Sequence, residues 1–269
     1  MNTQASFSSG ALLQRIREQK PLIHHITNMV VMNDTANITL AIGALPVMAH
    51  AIEEVEEMVN LAGALVLNIG TLYPAQVDAM LLAGKRANAR NIPIVLDPVG
   101  AGATRFRTET AHRLLTELRI AVVRGNASEI AALVGIESET RGVESISVAA
   151  TPEQVVQRAA HELNTTVAIT GVQDLISDGS RLFRVDNGHP LLASITGSGC
   201  MATSLVGAFL AVESDALQAT TAALVAMGLA GEKAARLAGG PGTFRSHLLD
   251  AVASLEPQGL TADQKVSFA

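Results

Sequence analysis

Four short segments carry residues that could bind or transfer a charged group, and each of them follows a short apolar run. They contain Asp97 in LDPVGAGAT, Arg124 to Glu129 in RGNASE, Thr170-Gly171 in AITG, and residues 196–200 in TGSGC. Apolar runs of this length are typical of buried parallel strands, and ligands bind outside the carboxyl ends of such strands. The side chains at these four strand ends are therefore the candidates for ligand binding.

The segment TGSGC comes directly before an apolar helix. The amides of Gly197, Ser198 and Gly199 would point at whatever occupies the helix N-terminus, which is a favourable place for an anion. The same residues also fit a plain glycine turn that enters a helix, and they lack the lysine and spacing of a P-loop. Cys200, taken alone, is most simply explained as a small buried hydrophobe.

The residues from Asn126 to Glu129 have two explanations. Asn-x-x-Glu is a capping box, in which Asn126 is the N-cap and Glu129 the third helical residue. Alternatively, Glu129 and Asp97 at neighbouring strand ends would suit Mg²⁺, which prefers oxygen ligands and keeps several waters. Arg124 at the strand end could then pair with a transferred phosphate. Asp97 could also simply end a strand, as most Asp-Pro pairs do.

Two further groups look chemical but are better explained by structure. His24 and His25 are adjacent, so in a strand they face opposite sides and are poorly placed to bind one metal. The glutamates at positions 53, 54, 56 and 57 fit a solvated helix face better than a metal cluster.

Short apolar runs alternate with longer segments of helical periodicity. This pattern predicts an α/β fold with a mostly parallel central sheet flanked by helices, and with a helical C-terminal segment after residue 198. Strands are predicted at 21–27, 64–70, 92–99, 120–125 and 165–171, and helices at 74–91 and 151–164, each with a proline near its start.

The ends and the hairpin complete this prediction. Two apolar runs around Asp178-Gly179 predict a hairpin that forms an antiparallel edge of the sheet. No repeat or linker divides the chain, so residues 1–269 are predicted to form one domain. Residues 1 to about 8 and the tail after about residue 257 are expected to be mobile.

Composition and charge exclude several classes of protein. The net charge is −6, the aromatic content is 3%, and there is no Trp, so nucleic acid is a poor candidate partner. No apolar stretch is long enough for a membrane span, and the first residues do not form a signal peptide. The single cysteine cannot form an internal disulfide, which favours a cytoplasmic location.

These segments, in this order, resemble the hydroxyethylthiazole kinase family of the ribokinase-like superfamily. The resemblance extends from about residue 20 to about residue 250 and rests on several separated motifs. The motifs are HHITNMVVMNDTANITLAIGALPVMAHAIEE, LNIGTL, VLDPVGAGATRFR, VVRGNASEI, AITG, TGSGCMATSLVGAF and GPGTF.

This resemblance implies a ribokinase-like fold and a specific reaction. The reaction is transfer of the γ-phosphoryl group of ATP to the hydroxyl of 4-methyl-5-(2-hydroxyethyl)thiazole, a step of thiamine (vitamin B1) salvage, and it requires Mg²⁺. The resemblance also implies a homotrimer with active sites at the subunit interfaces. The expected partners are thus small-molecule substrates and further copies of the chain.

The resemblance assigns roles to particular residues of this sequence. Thiazole contacts are expected from Met48 and Gly197, with Asn28 and Gly70 as weaker candidates. ATP contacts are expected from Arg124, Thr170 and Asn126, and an anion hole from Gly197, Ser198 and Gly199. Asp97 and Glu129 would organise the Mg²⁺, Glu129 through water. Cys200 stands where related kinases carry a catalytic aspartate, so it is the expected catalytic residue. The sequence does not reveal the ionisation state of that cysteine.

Some alternatives stay open at this point. His25 and Ser198 replace residues that are often Cys and Thr in the family, which unsettles details more than activity. A kinase of another small alcohol such as hydroxymethylpyrimidine, and an ADP-dependent hydrate dehydratase, share the expected fold. A nucleotide-binding regulator without turnover is a further alternative. The apolar Met29, Val47 and Met48 favour a small neutral ring over a sugar.

Overall fold

Nine strands form one sheet within residues 7–136 and 151–268, the residues that the computed structural model describes. The strands are β1 Leu22–Ile26, β2 Leu45–Val47, β3 Ala64–Asn68, β4 Ile94–Asp97, β5 Val122–Gly125, β6 Thr166–Ile169, β7 Asp174–Ser177, β8 Leu182–Val185 and β9 Val266–Phe268. Their order is β2-β1-β3-β4-β5-β6-β7-β8-β9. The neighbours from β2 to β6 pair parallel, and those from β6 to β9 pair antiparallel.

The five predicted parallel strands and the predicted hairpin are confirmed. The sheet also has two strands that the sequence did not predict. At one edge, β2 is only three residues long and contains Pro46, so its pattern is too short to recognise. At the other edge lies β9, which pairs with β8. The prediction that the hairpin forms the edge is therefore wrong.

The expectation of a mobile tail after about residue 257 is also wrong. Residues 257–262 form a helix, and Leu260 in it is fully buried. The ring of Phe268 packs edge-on against Phe183, with centroids 4.6 Å apart. Tertiary contacts that local sequence does not reveal therefore order this segment. Of the N-terminal residues expected to be mobile, 1–6 lie outside the described part, and Ser8 caps the first helix by accepting from Ala11 N.

Helices cover both faces of the sheet. They are α1 Ser9–Gln19, α2 Met32–Ile42, α3 Val55–Val59, α4 Pro74–Ala89, α5 Arg105–Glu117, α6 Ala127–Leu133, α7 Pro152–Leu163, α8 Ser198–Leu210, α9 Ala216–Ala235, α10 Pro241–Ala253 and α11 Pro257–Ala262, and a 3₁₀ helix spans Pro190–Ser194. The predicted helices α4 and α7 begin at their prolines, which fits a position whose N–H needs no partner. No helix in the described ranges is long and apolar enough to span a bilayer.

Successive strand residues send their side chains to opposite faces and so build two cores. Val66 and Val95 belong to the core shared with α8 and α9, whereas Leu67 and Leu96 belong to the core with α4 and α5. All ten residues of α8 from Met201 to Leu210 are buried. This packing fixes the N-terminus of α8 against β3 and β4, whose last residues are Asn68 and Asp97.

Candidate active site

Asp97 is the buried acid at the centre of the candidate site. It ends β4 and lies in register with Asn68, the last residue of β3. Its Oδ2 atom accepts hydrogen bonds from Asn68 Nδ2 at 2.9 Å and from Thr203 Oγ1 of α8 at 2.8 Å. Two strand ends and one helix therefore hold this carboxylate in a fixed orientation.

The protein around Asp97 destabilises the ionised form of its carboxyl group. Burial raises the pKa of Asp97 to about 6; the guanidinium of Arg124 opposes that rise and the carboxylate of Glu129 adds to it. The Oδ1 atom is buried and has no hydrogen-bond partner in the described protein. An unpartnered buried carboxylate oxygen is costly unless a ligand, a cation or a proton satisfies it. Asp97 is thus prepared to receive one of these.

Cys200 lies in the first turn of α8, beside this carboxylate. Its Sγ atom accepts from Asn68 Nδ2 at 3.2 Å and from Asn28 Nδ2 at 3.6 Å. Burial, followed by the charge of Asp97, raises the pKa of the Cys200 thiol to about 12. The helix N-terminus would favour a thiolate, but burial and the nearby carboxylate outweigh it. Cys200 therefore keeps its proton at neutral pH in the unliganded protein.

The glycines of TGSGC shape the N-terminus of α8. Gly197 is the N-cap and has a φ of 89°, a conformation that disfavours side chains, and a Cβ there would lie 2.6 Å from Val31. The first backbone bond of the helix runs from Met201 N to Gly197 O at 2.8 Å. The amides of Ser198 and Gly199 precede this bond and so are donors without an intrahelical acceptor. These unbonded amides lie where the sequence predicts an anion site, which stays a prediction.

Arg124 ends up next to those amides. Its Nη1 atom lies 3.9 Å from Asp97 Oδ2, and its Nη2 atom donates to Thr170 Oγ1. The Nε atom is buried and has no partner in the described protein. Thr170 is in turn held at the end of β6 by its own N–H, which donates to Gly125 O at 3.0 Å. The guanidinium thus retains donor capacity for an anion.

A cavity of about 690 Å³ adjoins Arg124 and the start of α8. Its polar lining includes Arg124, Thr170, Asp174, Asn187 and Ser198, and its apolar lining includes Pro190, Leu192, Leu224 and Met227. A cavity of this size with a mixed lining suits a drug-sized ligand such as a nucleotide. Another hollow, of about 440 Å³, lies at the opposite ends of the strands and contains none of the predicted site residues.

The structure brings Asn126 and Glu129 together as a capping box. Asn126 Oδ1 accepts from Glu129 N, and Glu129 Oε2 accepts from Asn126 N, both at 2.9 Å. Glu129 Oε1 also accepts from Gly100 N at 2.9 Å, which ties the loop after β4 to α6. Asn126 is an exposed helix cap and does not line the cavity, whereas Glu129 is close enough to Asp97 to raise its pKa.

None of the predicted thiazole contacts lines the cavity beside Arg124, and one of them, Asn28, donates to Cys200 Sγ at 3.6 Å. Asn28 Nδ2 donates to Asn68 Oδ1 at 2.8 Å, and Gly70 N donates to the same oxygen at 2.9 Å. Met48 follows β2 and is half-buried, and its carbonyl contacts His50 Nδ1 at 3.3 Å. Gly197 comes directly before the amides of Ser198 and Gly199, and it packs against Val31, which follows Asn28 by three residues.

The two adjacent histidines are packed within the protein. His24 Nε2 bonds to Ala49 O at 2.8 Å and His25 Nε2 to Thr39 Oγ1 at 3.4 Å, and both residues are fully buried. Burial lowers the pKa of both, and for His25 it reaches about 3. They are therefore neutral and have different partners, as the alternation of a strand predicts.

Two polar residues of this site were not predicted from the sequence. Asn68 lies inside the LNIGTL motif and ends a buried strand, so the rule that strand ends carry ligands could have identified it. Thr203 follows Gly199 by one helical turn, and its hydroxyl bonds both to Asp97 and to Gly199 O. Its position on the same helix face as Gly199 is the signal that was available.

Comparison with known proteins identifies the family of the chain. Residues 13–258 match the sequence model of the hydroxyethylthiazole kinase family. The hydroxyethylthiazole kinase of Desulforudis audaxviator is 61% identical over 254 residues, covering 94% of this chain and 93% of that protein. The structure of a hydroxyethylthiazole kinase protein from Pyrococcus horikoshii superposes with a TM-score of 0.89 at 46% identity, covering 97% and 98% of the two chains.

A more distantly related protein shares the fold. A ribokinase-like superfamily protein from Enterococcus faecalis superposes with a TM-score of 0.63 at 13% identity, covering 96% of this chain and 92% of that one. At that identity the similarity concerns the fold alone, and it confirms the predicted ribokinase-like architecture. The match of the family model over most of the chain is more specific, and by it the chain belongs to the hydroxyethylthiazole kinase family.

Proposed function

We propose that Asp97, Arg124 and Cys200, together with the amides at the start of α8, carry out the reaction of this family. The reaction is ATP-dependent phosphorylation of the hydroxyl of 4-methyl-5-(2-hydroxyethyl)thiazole in thiamine salvage. The observation that carries the residue assignment is that a carboxylate, a guanidinium and a helix N-terminus meet beside one cavity. We propose a single kinase domain over residues 1–269, in the cytoplasm, where ATP is available and a lone cysteine stays reduced.

The cavity beside Arg124 is the proposed ATP site. Arg124 and Thr170 line it together with Ser198 and Gly199, so the phosphates would meet a guanidinium, a hydroxyl and unbonded amides. The apolar lining formed by Leu224 and Met227 would face the less polar parts of the nucleotide. Asn126 is excluded from this group, because it caps α6 outside the cavity.

The carboxylates of Asp97 and Glu129 fit the Mg²⁺ that the family implies. Asp97 offers a buried oxygen without a partner, and the charge of Glu129 destabilises the ionised form of Asp97, which a divalent cation would relieve. Within residues 7–136 and 151–268 there is no cluster of three or more metal-binding side chains. This fits Mg²⁺, which one or two carboxylates hold together with substrate phosphates. When bound, the ion neutralises charge on the transferred phosphoryl group.

The proton balance of the reaction follows from the pKa of Cys200. A thiol with a pKa of about 12 is not a base at neutral pH, so we assign Cys200 to holding the alcohol and not to removing its proton. Phosphoryl transfer has a loose transition state, in which the alcohol loses its proton late. The oxygens of the transferred phosphoryl group are then the available acceptor, because the unpartnered Oδ1 of Asp97 is assigned to the Mg²⁺. Catalysis then consists of positioning and of charge stabilisation by Arg124 and the amides.

The thiazole is proposed to bind near Asn28, Met48, Gly70 and Gly197, at a contact between subunits of a homotrimer. Large apolar side chains are exposed in the segments around the edge strand β2, at Met29, Val30, Leu40, Leu45, Ile52 and Leu61. Several exposed apolar residues in neighbouring segments are typical of a surface that another chain covers. Further copies of this chain are the partners that family membership suggests.

The direct test measures ADP release from ATP and Mg²⁺, with and without the thiazole alcohol. We expect ADP release to depend on that alcohol and to require Mg²⁺. Hydroxymethylpyrimidine and pyridoxal serve as competing alcohols in parallel reactions. Faster turnover with either of them would overturn the proposed substrate, and absence of turnover with every alcohol would favour a regulator that binds nucleotide without using it.

A further inference from the structure

The buried side chain of Asn68 uses all four of its hydrogen-bonding positions inside the site. Its Oδ1 atom accepts from Asn28 Nδ2 at 2.8 Å and from Gly70 N at 2.9 Å. Its Nδ2 atom donates to Asp97 Oδ2 at 2.9 Å and to Cys200 Sγ at 3.2 Å. An amide can accept two and donate two such bonds, so this one has no capacity left for a substrate.

The two ends of the amide face different parts of the site. The oxygen faces two of the proposed thiazole contacts, Asn28 and Gly70, and the nitrogen faces Asp97 and Cys200. The opposite orientation would place Nδ2 against two other N–H donors and Oδ1 against a carboxylate. The observed orientation is therefore the one that the neighbouring donors and acceptors require.

Without the side chain of Asn68, Asp97 and Cys200 would each lose one of the hydrogen bonds that hold them. Asp97 Oδ2 would keep the hydroxyl of Thr203 at 2.8 Å, and Cys200 Sγ would keep the longer contact with Asn28 at 3.6 Å. Because Asn68 ends β3 in register with Asp97, its backbone is fixed by the sheet and its side chain is preorganised.

We propose that Asn68 is a positioning residue of the kinase reaction, which holds the Asp97 carboxylate and the Cys200 sulfur in a fixed relation to the alcohol-binding side of the site. This proposal rests on the roles proposed above for Asp97 and Cys200. Because its four hydrogen-bonding positions are all taken within the protein, Asn68 would act through the two side chains to which it donates.

The variant Asn68→Asp separates the two ends of the amide. Aspartate keeps the shape and the acceptor for Asn28 and Gly70, but a carboxylate oxygen replaces the donor that faces Asp97 and Cys200 and repels the Asp97 carboxylate. We expect kcat to fall by about 10- to 100-fold, as for loss of a hydrogen bond to a charged group, while KM for the thiazole alcohol stays within about threefold. Asn68→Ala should lower kcat similarly and also raise that KM, because the acceptor is lost as well.

Asn60→Asp is the matched control, because it introduces the same charge at the end of α3. The Oδ1 atom of Asn60 accepts from Arg86 Nε at 2.7 Å, a bond that aspartate keeps. Turnover of this control should equal that of the wild type. A purely structural role for Asn68 would instead lower the melting temperature of Asn68→Asp and leave kcat of the folded fraction unchanged.

A double-mutant cycle with Cys200→Ala provides a second readout. If Asn68 acts in part through Cys200, the combined loss in kcat should be smaller than the product of the two single losses. A product that is fully multiplicative, or a kcat of Asn68→Asp within about threefold of wild type, would overturn the proposal. If Asn68→Asp does not fold, Asn68→Ala replaces it in the cycle and in the kcat comparison.

The experiments also distinguish an error in the roles proposed for Asp97 and Cys200 from an error in the role proposed for Asn68. If both Cys200→Ala and Asp97→Asn retain wild-type turnover, the proposed roles of these two residues are wrong, whatever Asn68 does. If either variant loses turnover while Asn68→Asp keeps it, the positioning role alone is refuted.

Discussion

Arg124 lies so close to Gly199 that position 199 has no room for a side chain: a Cβ atom there would be 2.5 Å from Arg124 Nη1. The guanidinium therefore crosses the first turn of α8, where it reaches toward Asp97 and Thr170. Two motifs that are far apart in the sequence, RGNASE and TGSGC, thus depend on each other. The glycine is needed so that the positive charge can lie against the helix N-terminus.

Gly199→Ala should accordingly impair catalysis and leave stability almost unchanged. The added methyl displaces the Arg124 guanidinium, and a misplacement of about 1 Å costs on the order of 100-fold in rate. We expect kcat/KM for ATP to fall by about 10- to 100-fold in steady-state assays. Gly242→Ala is the control, because a Cβ at that helical position meets no atom within 4 Å. Equal kinetics for both variants would contradict the contact.

Glu129→Gln should lower both turnover and stability. The two oxygens of Glu129 accept from Asn126 N and from Gly100 N, and an amide has only one oxygen to replace them. One of these two N–H groups loses its acceptor; Gly100 N is partly buried and Asn126 N is exposed, so the loss costs about 1 kcal/mol of unfolding free energy. Loss of the charge should also reduce Mg²⁺-dependent turnover by about 100-fold. Urea unfolding and turnover at saturating Mg²⁺ measure the two effects.

The control for the stability part is Gln154→Ala, which removes the equivalent member of the capping box of α7. It should lower stability by about 1 kcal/mol and leave turnover unchanged, because this box lies away from the cavity. If Glu129→Gln lost stability but kept full turnover, Glu129 would be a cap and nothing more.

Substitutions of Cys200 test whether it positions the alcohol. Cys200→Ala should slow turnover by about 10- to 1000-fold and leave ATP binding intact, since the side chain does not line the cavity. Cys200→Asp should retain activity or gain some, because the amides of Asn28 and Asn68 can donate to a carboxylate as they do to sulfur. Steady-state rates at saturating thiazole alcohol decide this. Full activity of the alanine variant would show that Cys200 only packs.

Asp97→Asn should change how stability depends on pH. The pKa of Asp97 is about 6 in the folded protein, above the ordinary value of 3.8 for an aspartate, so the folded state binds this proton more tightly. The wild type is therefore destabilised, relative to the variant, as pH rises through the window from about 4 to 6. The relative change should reach about 3 kcal/mol, which corresponds to roughly two pKa units. Urea unfolding between pH 4 and 8 in EDTA measures it, and an opposite slope would refute the shift.

The trimer is testable through its exposed apolar surface. Light scattering should give a particle of three chains, each of 28.0 kDa. Leu61→Asp should dissociate it and raise KM for the thiazole, because a charge in an apolar contact is costly to bury. Leu237→Asp is matched in exposure, 71% against 70%, and should leave the trimer intact. A monomer that is active at micromolar concentration would disprove the shared pocket.

The sequence predicts those strands and helices whose pattern lies within the element itself, and it does not predict those that form only through contacts with distant residues. The strands from β3 to β6 were predictable because each is a continuous apolar run, and α4 and α7 because each begins at a proline. The edge strand β9 was not predictable, because three residues become a strand only by pairing with β8, where Val266 lies opposite Val185. The same limit explains the wrong expectation of a mobile tail.

The site shows a similar division. Asp97, Arg124 and Gly199 were recognisable because acids, arginines and glycines at strand and helix ends have few common uses. Asn68 and Thr203 were harder to single out, although Asn68 also ends a strand, because an amide or a hydroxyl in a sequence has many structural uses. Their importance comes from bonds to Asp97, which is 29 and 106 residues away, respectively.

The ordered C-terminal segment has a practical consequence for handling the protein. Asn187 lines the large cavity, and its side chain is fastened to the end of the chain: Nδ2 donates to Asp263 O at 3.1 Å, and Oδ1 accepts from Lys265 N at 2.7 Å. A truncation before Asp263 would therefore remove two of the hydrogen bonds that hold Asn187 in the wall of the cavity. Nucleotide affinities measured on such a truncated protein should differ from those of residues 1–269.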